Sequence, residues 1–386
     1  MIIKRVVGLL RTRWKPSIRP SIAALLVTYS VSTSLFAQEF QSSVVSQPSV
    51  KIHTEDARAT LVALQNRNLT LDEALLIARM PGNQGVIRKL QEFRIASTSE
   101  SFANALYENA HGTRVTGIPE IAIGFDRVKP KSQELLSLLG EIDANPKTFQ
   151  RAIEDRIKLF TPEHADIHLE GYVVAAGDGG GYAFGGTDFF LNVGIADDLL
   201  VAKSTTIHEL YHSVQGAYAA DRAIKIDHTQ GPVQIACANQ ERLFASLYEE
   251  GTARFVEDTA LLSQSKSEAA FKILTDFNDG ARHVHNGITL LDMSINALGE
   301  STSLSFEDVY EVGFLGHGVL YGVGYVMARD IADSGGRQAI VDLLKEPSYM
   351  FILRYAELAK YGIDDAYPKL GSNTVAAARR LAAGCK

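Results

Sequence analysis

The pattern of the chain predicts an α+β fold that is mainly helical, with a small mixed sheet set just before one long helix. Three observations carry that prediction. Apolar residues recur at helical spacing from about Thr54 to Phe160, the stretch from His168 to Val193 turns to strand character around a glycine-dense loop, and the remainder from about Asn239 to Lys386 returns to helix. With 386 residues, 46% of them hydrophobic and 22% charged, the chain has the composition of a globular protein with a sizeable core.

Residues 1–37 stand apart from that body. They hold Lys4, Arg5, Arg11, Arg13, Lys15 and Arg19 and no acidic residue, then an apolar run from Ile22 to Val31 and small residues leading to Ala37. A basic start, a short apolar core and small residues before the cut make a secretory signal peptide, so export to the periplasm or medium is expected, with cleavage near Ala37. The apolar run falls well short of the roughly 20 residues that a membrane span needs, and no later stretch reaches that length, so no stable span is expected after cleavage. Losing the six basic residues takes the formal charge from −7 to −13. An acidic body without a basic cluster offers a phosphate backbone nothing to bind, and nucleic acid is excluded as an expected partner. Cys237 and Cys385 are the two cysteines of the chain. In an oxidising compartment they can pair, but the sequence leaves their proximity open.

Residues 38–53, rich in Ser, Gln and Val, read as a linker. A helical N-terminal region follows over 54–160. In it Thr70-Leu71-Asp72-Glu73 matches a capping box that opens a helix running to Met80, and Pro81-Gly82 stops it. Further helices are expected at 84–95, 99–110, 131–141 and 147–160, the last with the apolar stripe Phe149, Ile153, Ile157 and Phe160.

A second region is expected over 161–386: a small sheet at 165–195, a motif helix at 198–215 and a helical subdomain at 239–386. Leu169 to Ala175 and Phe189 to Val193 read as strands around the loop Gly177 to Gly186. That loop has no Gly-Lys-Ser/Thr after it, so it reads as a hairpin or rim rather than a phosphate cradle. Phe189 to Val193, the strand just before the motif helix, is expected to pair with an extended substrate.

The motif helix reads His208-Glu209-Leu210-Tyr211-His212, with Asp197 and Asp198 available as N-caps and no Pro or Gly from Leu199 to Val214. Positions four apart share a helix face, so His208 and His212 can aim at one metal ion while Glu209 projects beside it. Two neutral imidazoles and a third protein ligand leave a zinc ion one open position, and a nearby carboxylate can serve as general base. Zn²⁺ is therefore the expected cofactor and Glu209 the expected base. The third ligand is sought in Ala238 to Asp258, where Glu249 and Glu250 are adjacent. Leu243, Phe244 and Leu247 define an apolar stripe; Glu250 falls about 20° from Leu243 on the helical wheel, while Glu249 is turned about 120° away. A carboxylate on a core-facing stripe needs a partner. A metal ion would supply one, as would a salt bridge from Glu250 to Arg254. Glu250 is the expected ligand and Glu249 the reserve.

HELYH followed by Glu250-Gly251-Thr252-Ala253-Arg254-Phe255 resembles the gluzincin metallopeptidases, in which a second helix supplies a Glu ligand. The E-G-x-A-x-aromatic form is similar to that of the aminopeptidase N-like family, and so are Tyr321-Gly322-Val323-Gly324-Tyr325 and the later Gly335-Gly336. The resemblance spans about residues 165–345 and implies a zincin-like fold, a peptide or protein substrate and an oxyanion-stabilising role for Tyr321. Tyr310 has the same spacing to Gly313 and Phe314 and competes for that role, as do His317, His283 and His285. No G-x-M-E-N element occurs, and Arg254 stands where thermolysin-like enzymes carry an Asp four residues after the Glu ligand. The expectation is an exported zinc metallopeptidase. Its rivals are a zinc-binding protein without catalysis on the same scaffold and a zinc hydrolase of non-peptide esters or amides.

Overall fold

Local capping chemistry places several of the helices before any tertiary contact is considered. Thr70 and Glu73 satisfy each other's backbone N–H groups, as the capping box predicts, and Asp198 accepts from the N–H groups of Leu200 and Val201 to open the motif helix. The structure, a computed structural model, describes residues 48–386 except 145, 225–230, 301–303, 316–317, 364 and 386. The signal segment and residues 38–47 of the linker lie outside the described residues.

Numbering only helices longer than four residues, the chain runs β1 (Ser49–His53), α1 (Glu55–Gln65), α2 (Leu71–Ala78), α3 (Pro81–Glu92), α4 (Ser99–Ala110), α5 (Ser132–Ala144) and α6 (Pro146–Lys158). The sheet strands β2 (His168–Val174), β3 (Gly181–Ala183) and β4 (Asp188–Asn192) come next. After them stand α7 (Leu199–Ala217), α8 (Gly231–Val256), α9 (Glu268–Arg282), α10 (Val284–Glu300), α11 (Phe306–Phe314), α12 (Val319–Leu343), α13 (Tyr349–Ala356) and α14 (Ser372–Ala382). The fold is mainly helical, with a four-stranded mixed sheet in the order β1-β2-β4-β3 ahead of the HELYH helix.

Two local expectations are corrected. The end of the linker is not a tether: Ser49–His53 runs parallel to β2, in a register that sets Val50 opposite Leu169, and Val50 is buried. The partner strand more than a hundred residues away supplies the ladder, so local composition could not reveal it. Pro81 does not merely stop α2; it opens α3 at a first-turn position, where its missing N–H costs nothing.

The sheet lies between α3 and α7. His53, Tyr172, Phe190 and Tyr182 form one aromatic row across all four strands, with stacked neighbours 5.0–5.6 Å apart. On that face the Phe190 ring sits under Gly85 of α3. Side chains alternate along a strand, so Gly181 faces the opposite side. A Cβ there would lie 2.6 Å from Cγ of Glu209, so only glycine lets β3 run this close to α7. Elsewhere the backbones of α8 and α12 touch at Gly251 and Gly324, where either Cβ would collide with the facing main chain. That crossing brings Tyr321 alongside Glu250. α12 breaks at Gly336, whose φ of 72° no helix allows, at the Gly-Gly pair noted in the sequence.

Candidate metal centre

α7 runs unbroken from Leu199 to Ala217, with Ile207, Leu210, Tyr211 and Val214 buried on its core side. His208 and His212 therefore leave the same face, one turn apart, with their Nε2 atoms 3.1 Å from each other. α8 lies beside it and delivers Glu250, whose Oε2 is 3.4 Å from each Nε2. That oxygen is buried and accepts no hydrogen bond. A tetrahedral site with bonds of about 2.0–2.1 Å places its donors about 3.3–3.4 Å apart, so the three atoms fit one zinc-sized cation with room for a further ligand. An unpaired buried carboxylate oxygen is costly, and a divalent ion offsets that cost.

The electrostatics follow from this crowding. Burial would raise the Glu250 carboxyl, but the two facing imidazoles outweigh it and hold the group well below the usual carboxylate range. Burial opposes a charged His212, yet Glu250 and Glu209 raise it to about 10, and His208 is raised in the same way by Glu250 and Glu257. Glu209, half-buried against β3, is raised by desolvation, with the imidazoles pulling the other way.

Two supporting residues escaped sequence reasoning. Glu257, with a side chain only 3% exposed, sets Oε2 3.2 Å from His208 Nδ1, and it accepts from Ser204 Oγ at 2.8 Å and from Arg254 Nη1 at 2.7 Å. Arg254 thus serves Glu257 and is not the salt-bridge partner that would have explained Glu250. Glu257 stands two turns after Glu250, just past the end of α8. The signal lay in the helical wheel, since residues seven apart share a face. The second is Gln215, whose Oε1 is 2.8 Å from His212 Nδ1. Its amide nitrogen donates to Thr252 Oγ1 at 2.8 Å and to the Glu249 carbonyl at 3.0 Å, anchoring α7 to α8. Of the two remote ring nitrogens, that of His212 is hydrogen-bonded to Gln215, while that of His208 faces the Glu257 carboxylate as an ion pair, and partners at this position orient a histidine ring.

The other candidates sort cleanly. Glu249 turns away to Arg222, at 2.9 Å, and does not join the triad. Tyr321 and Tyr310 both line the cavity over the triad, and Tyr321 lies close in, its ring centroid 6.5 Å from that of His208 and its hydroxyl within the field of Glu250. Burial, reinforced by Glu250, raises the Tyr321 hydroxyl well above the usual phenol range and keeps it protonated. His283 and His285 are exposed beside Asp279 and Asp365, away from the cavity lining, and His317 lies outside the described residues. The cavity, of about 610 Å³, wraps the free edge of the sheet at β3, with α7 on one side and α3 on the other. β4 is paired on both sides, so it cannot take up an extended substrate; the edge strand that lines the cavity is β3.

A family model described as "Putative zinc dependent peptidase (DUF5700)" matches residues 75–362. The chain belongs to this family. The match covers the helices that carry His208, His212 and Glu250 and reaches back past α3, the N-terminal helix that walls the cavity. Comparison with curated proteins and with solved structures gives no match.

Cys237 and Cys385 form a disulfide, with Cα atoms 6.4 Å apart, that ties the start of α8 to the end of the chain. Among the described residues no helix is long and apolar enough to cross a membrane.

Proposed function

We propose that this protein is an exported zinc metallopeptidase in which His208, His212 and Glu250 hold the ion and Glu209 is the general base. The observation that carries the reading is the convergence of two Nε2 atoms and one unpartnered Oε2 within 3.4 Å of one another, beside a half-buried carboxylate raised by desolvation. A zinc ion bound there supplies Lewis acidity and lowers the pKa of water to roughly 7.

The chain's own residues do the rest. Glu209 takes the proton of the attacking water and hands it to the leaving amine, and its raised pKa suits both halves of that transfer. Tyr321, held neutral by burial, donates to the oxygen that gains charge as the carbonyl is attacked. Glu257 and Gln215 keep the imidazoles turned toward the centre. The β3 edge, with Gly181 against Glu209, offers backbone groups to an extended peptide beside the base. The family match and the likeness of E-G-T-A-R-F to the second motif of gluzincins support peptides as substrates. The disulfide and the basic, acid-free N-terminus support export.

Metal analysis combined with peptide-library cleavage, run on the native protein and on Glu209→Gln, tests the reading. The native protein is expected to hold one zinc and cleave peptides, and Glu209→Gln to hold zinc while losing at least about 100-fold in kcat. Undiminished cleavage by the variant removes Glu209 from the mechanism, and zinc without cleavage of any peptide or ester removes catalysis.

A further inference from the structure

The cavity has a wall that the hydrolytic chemistry does not use. α3 lines it with Val86, Lys89, Leu90 and Phe93, on the side of β3 opposite the HELYH helix. Val86 and Leu90 are each only 1% exposed and form a floor, but Phe93 stands 49% exposed at the helix end. Leu315, 47% exposed, lines the same cavity from the end of α11. Large apolar side chains left open inside a concave site mark where an apolar group docks.

Lys89 lies one turn before Phe93 on the same helix face. Its ammonium sits 5.1 Å from the centroid of the Phe93 ring and 5.9 Å from that of Tyr182. Among the described residues it is the only Lys or Arg lining the cavity, and its field reaches Glu209. Among the described residues its ion-pair partner is Glu92 at 3.3 Å, which is 45% exposed and outside the cavity lining, so water screens that pair.

We propose that Lys89 and Phe93 form a specificity subsite that takes a large apolar side chain next to a carboxylate. The carboxylate belongs either to the C-terminus of the substrate or to an acidic residue following the apolar one. This rests on the peptidase reading for its substrate class, and the test separates the two.

Zinc-loaded Glu209→Gln serves as a non-hydrolysing receptor in an equilibrium binding assay. Its probes are acetylated peptides ending in Phe or Gly with a free C-terminus, the Phe peptide amidated, and an amidated Phe-Glu peptide. The Phe peptide with a free carboxylate is expected to bind about tenfold tighter than the Gly peptide, and Phe93→Ala to remove that ratio. It is expected to bind about fivefold tighter than its amide, a difference that Lys89→Met abolishes and Lys89→Glu reverses. Recovery of binding by the Phe-Glu amide assigns the carboxylate to an acidic side chain, and failure to recover assigns it to the chain end. Both side chains are partly exposed, and zinc content measured on each variant verifies the fold. Equal affinities for all four peptides, or ratios unmoved by either substitution, overturn the subsite. Selective binding alongside a native protein that cleaves none of these peptides or the library would retire the peptidase reading and leave the subsite standing.

Discussion

The two halves of α8 carry buried carboxylates that meet opposite fates. Near its start, Glu241 has only Ser348 and a distant Arg222 to set against burial, and desolvation pushes it up to about 7, with one oxygen unpartnered. Near its end, Glu250 is buried more deeply, yet two imidazoles hold it well below the usual range, and Arg254 and His208 do the same for Glu257. Burial is common to all three; the difference lies in what faces them. A buried acid with no cation is an acid kept protonated, whereas a buried acid ringed by nitrogen donors is a ligand or the brace of one.

The comparison breaks most severely at Glu250. Glu250→Ala should lower zinc affinity by more than the 10–100-fold that loss of an outer partner typically costs, measured by titration against a competing chelator. Retention of tight zinc would mean that the ion sits elsewhere. The contrast is sharpened one layer out, where His208 is braced by a charged carboxylate and His212 by a neutral amide. Glu257→Gln, which removes the charge and keeps the shape, should cost about 10–100-fold in zinc affinity, and Gln215→Leu should cost less, near tenfold. The reverse ranking would show that the α7–α8 anchor matters more than the charge. The smallest effect belongs to Glu241. Its folded pKa lies above its unfolded value, so the folded state binds the extra proton and stability falls as pH rises from about 4.5 through 7. Glu241→Gln should flatten that stretch of the urea-unfolding profile between about pH 5 and 8, and an unchanged slope would place the titrating group elsewhere.

Much of this was legible in the residues. The α2 capping box, the α4 limits and the HELYH helix follow from interactions within four positions, where helix geometry alone decides which groups meet. Glu250 was distinguished from Glu249 because a hydrophobic stripe orients a helix, and the structure turns Glu249 to Arg222 and Glu250 toward the histidines. Glu257 is not legible from a one-turn spacing, because it meets His208 from two turns after Glu250. β1 was hidden because its stability lies in a partner strand, and β4 was assigned a substrate edge that only strand order could deny it.

The chain by itself therefore determined the side chains at hand: two imidazoles four apart with a carboxylate between them in sequence, and a core-facing glutamate on a later helix. Only the tertiary structure decided that α3, far earlier in the chain, walls the same cleft, that Arg254 pairs with Glu257, and that the sheet edge at the cavity is β3. The physical reason is range. Helical spacing fixes neighbours within a turn or two, whereas the meeting of α7, α8, α12 and α3 is set by packing, down to the glycines at which two backbones touch.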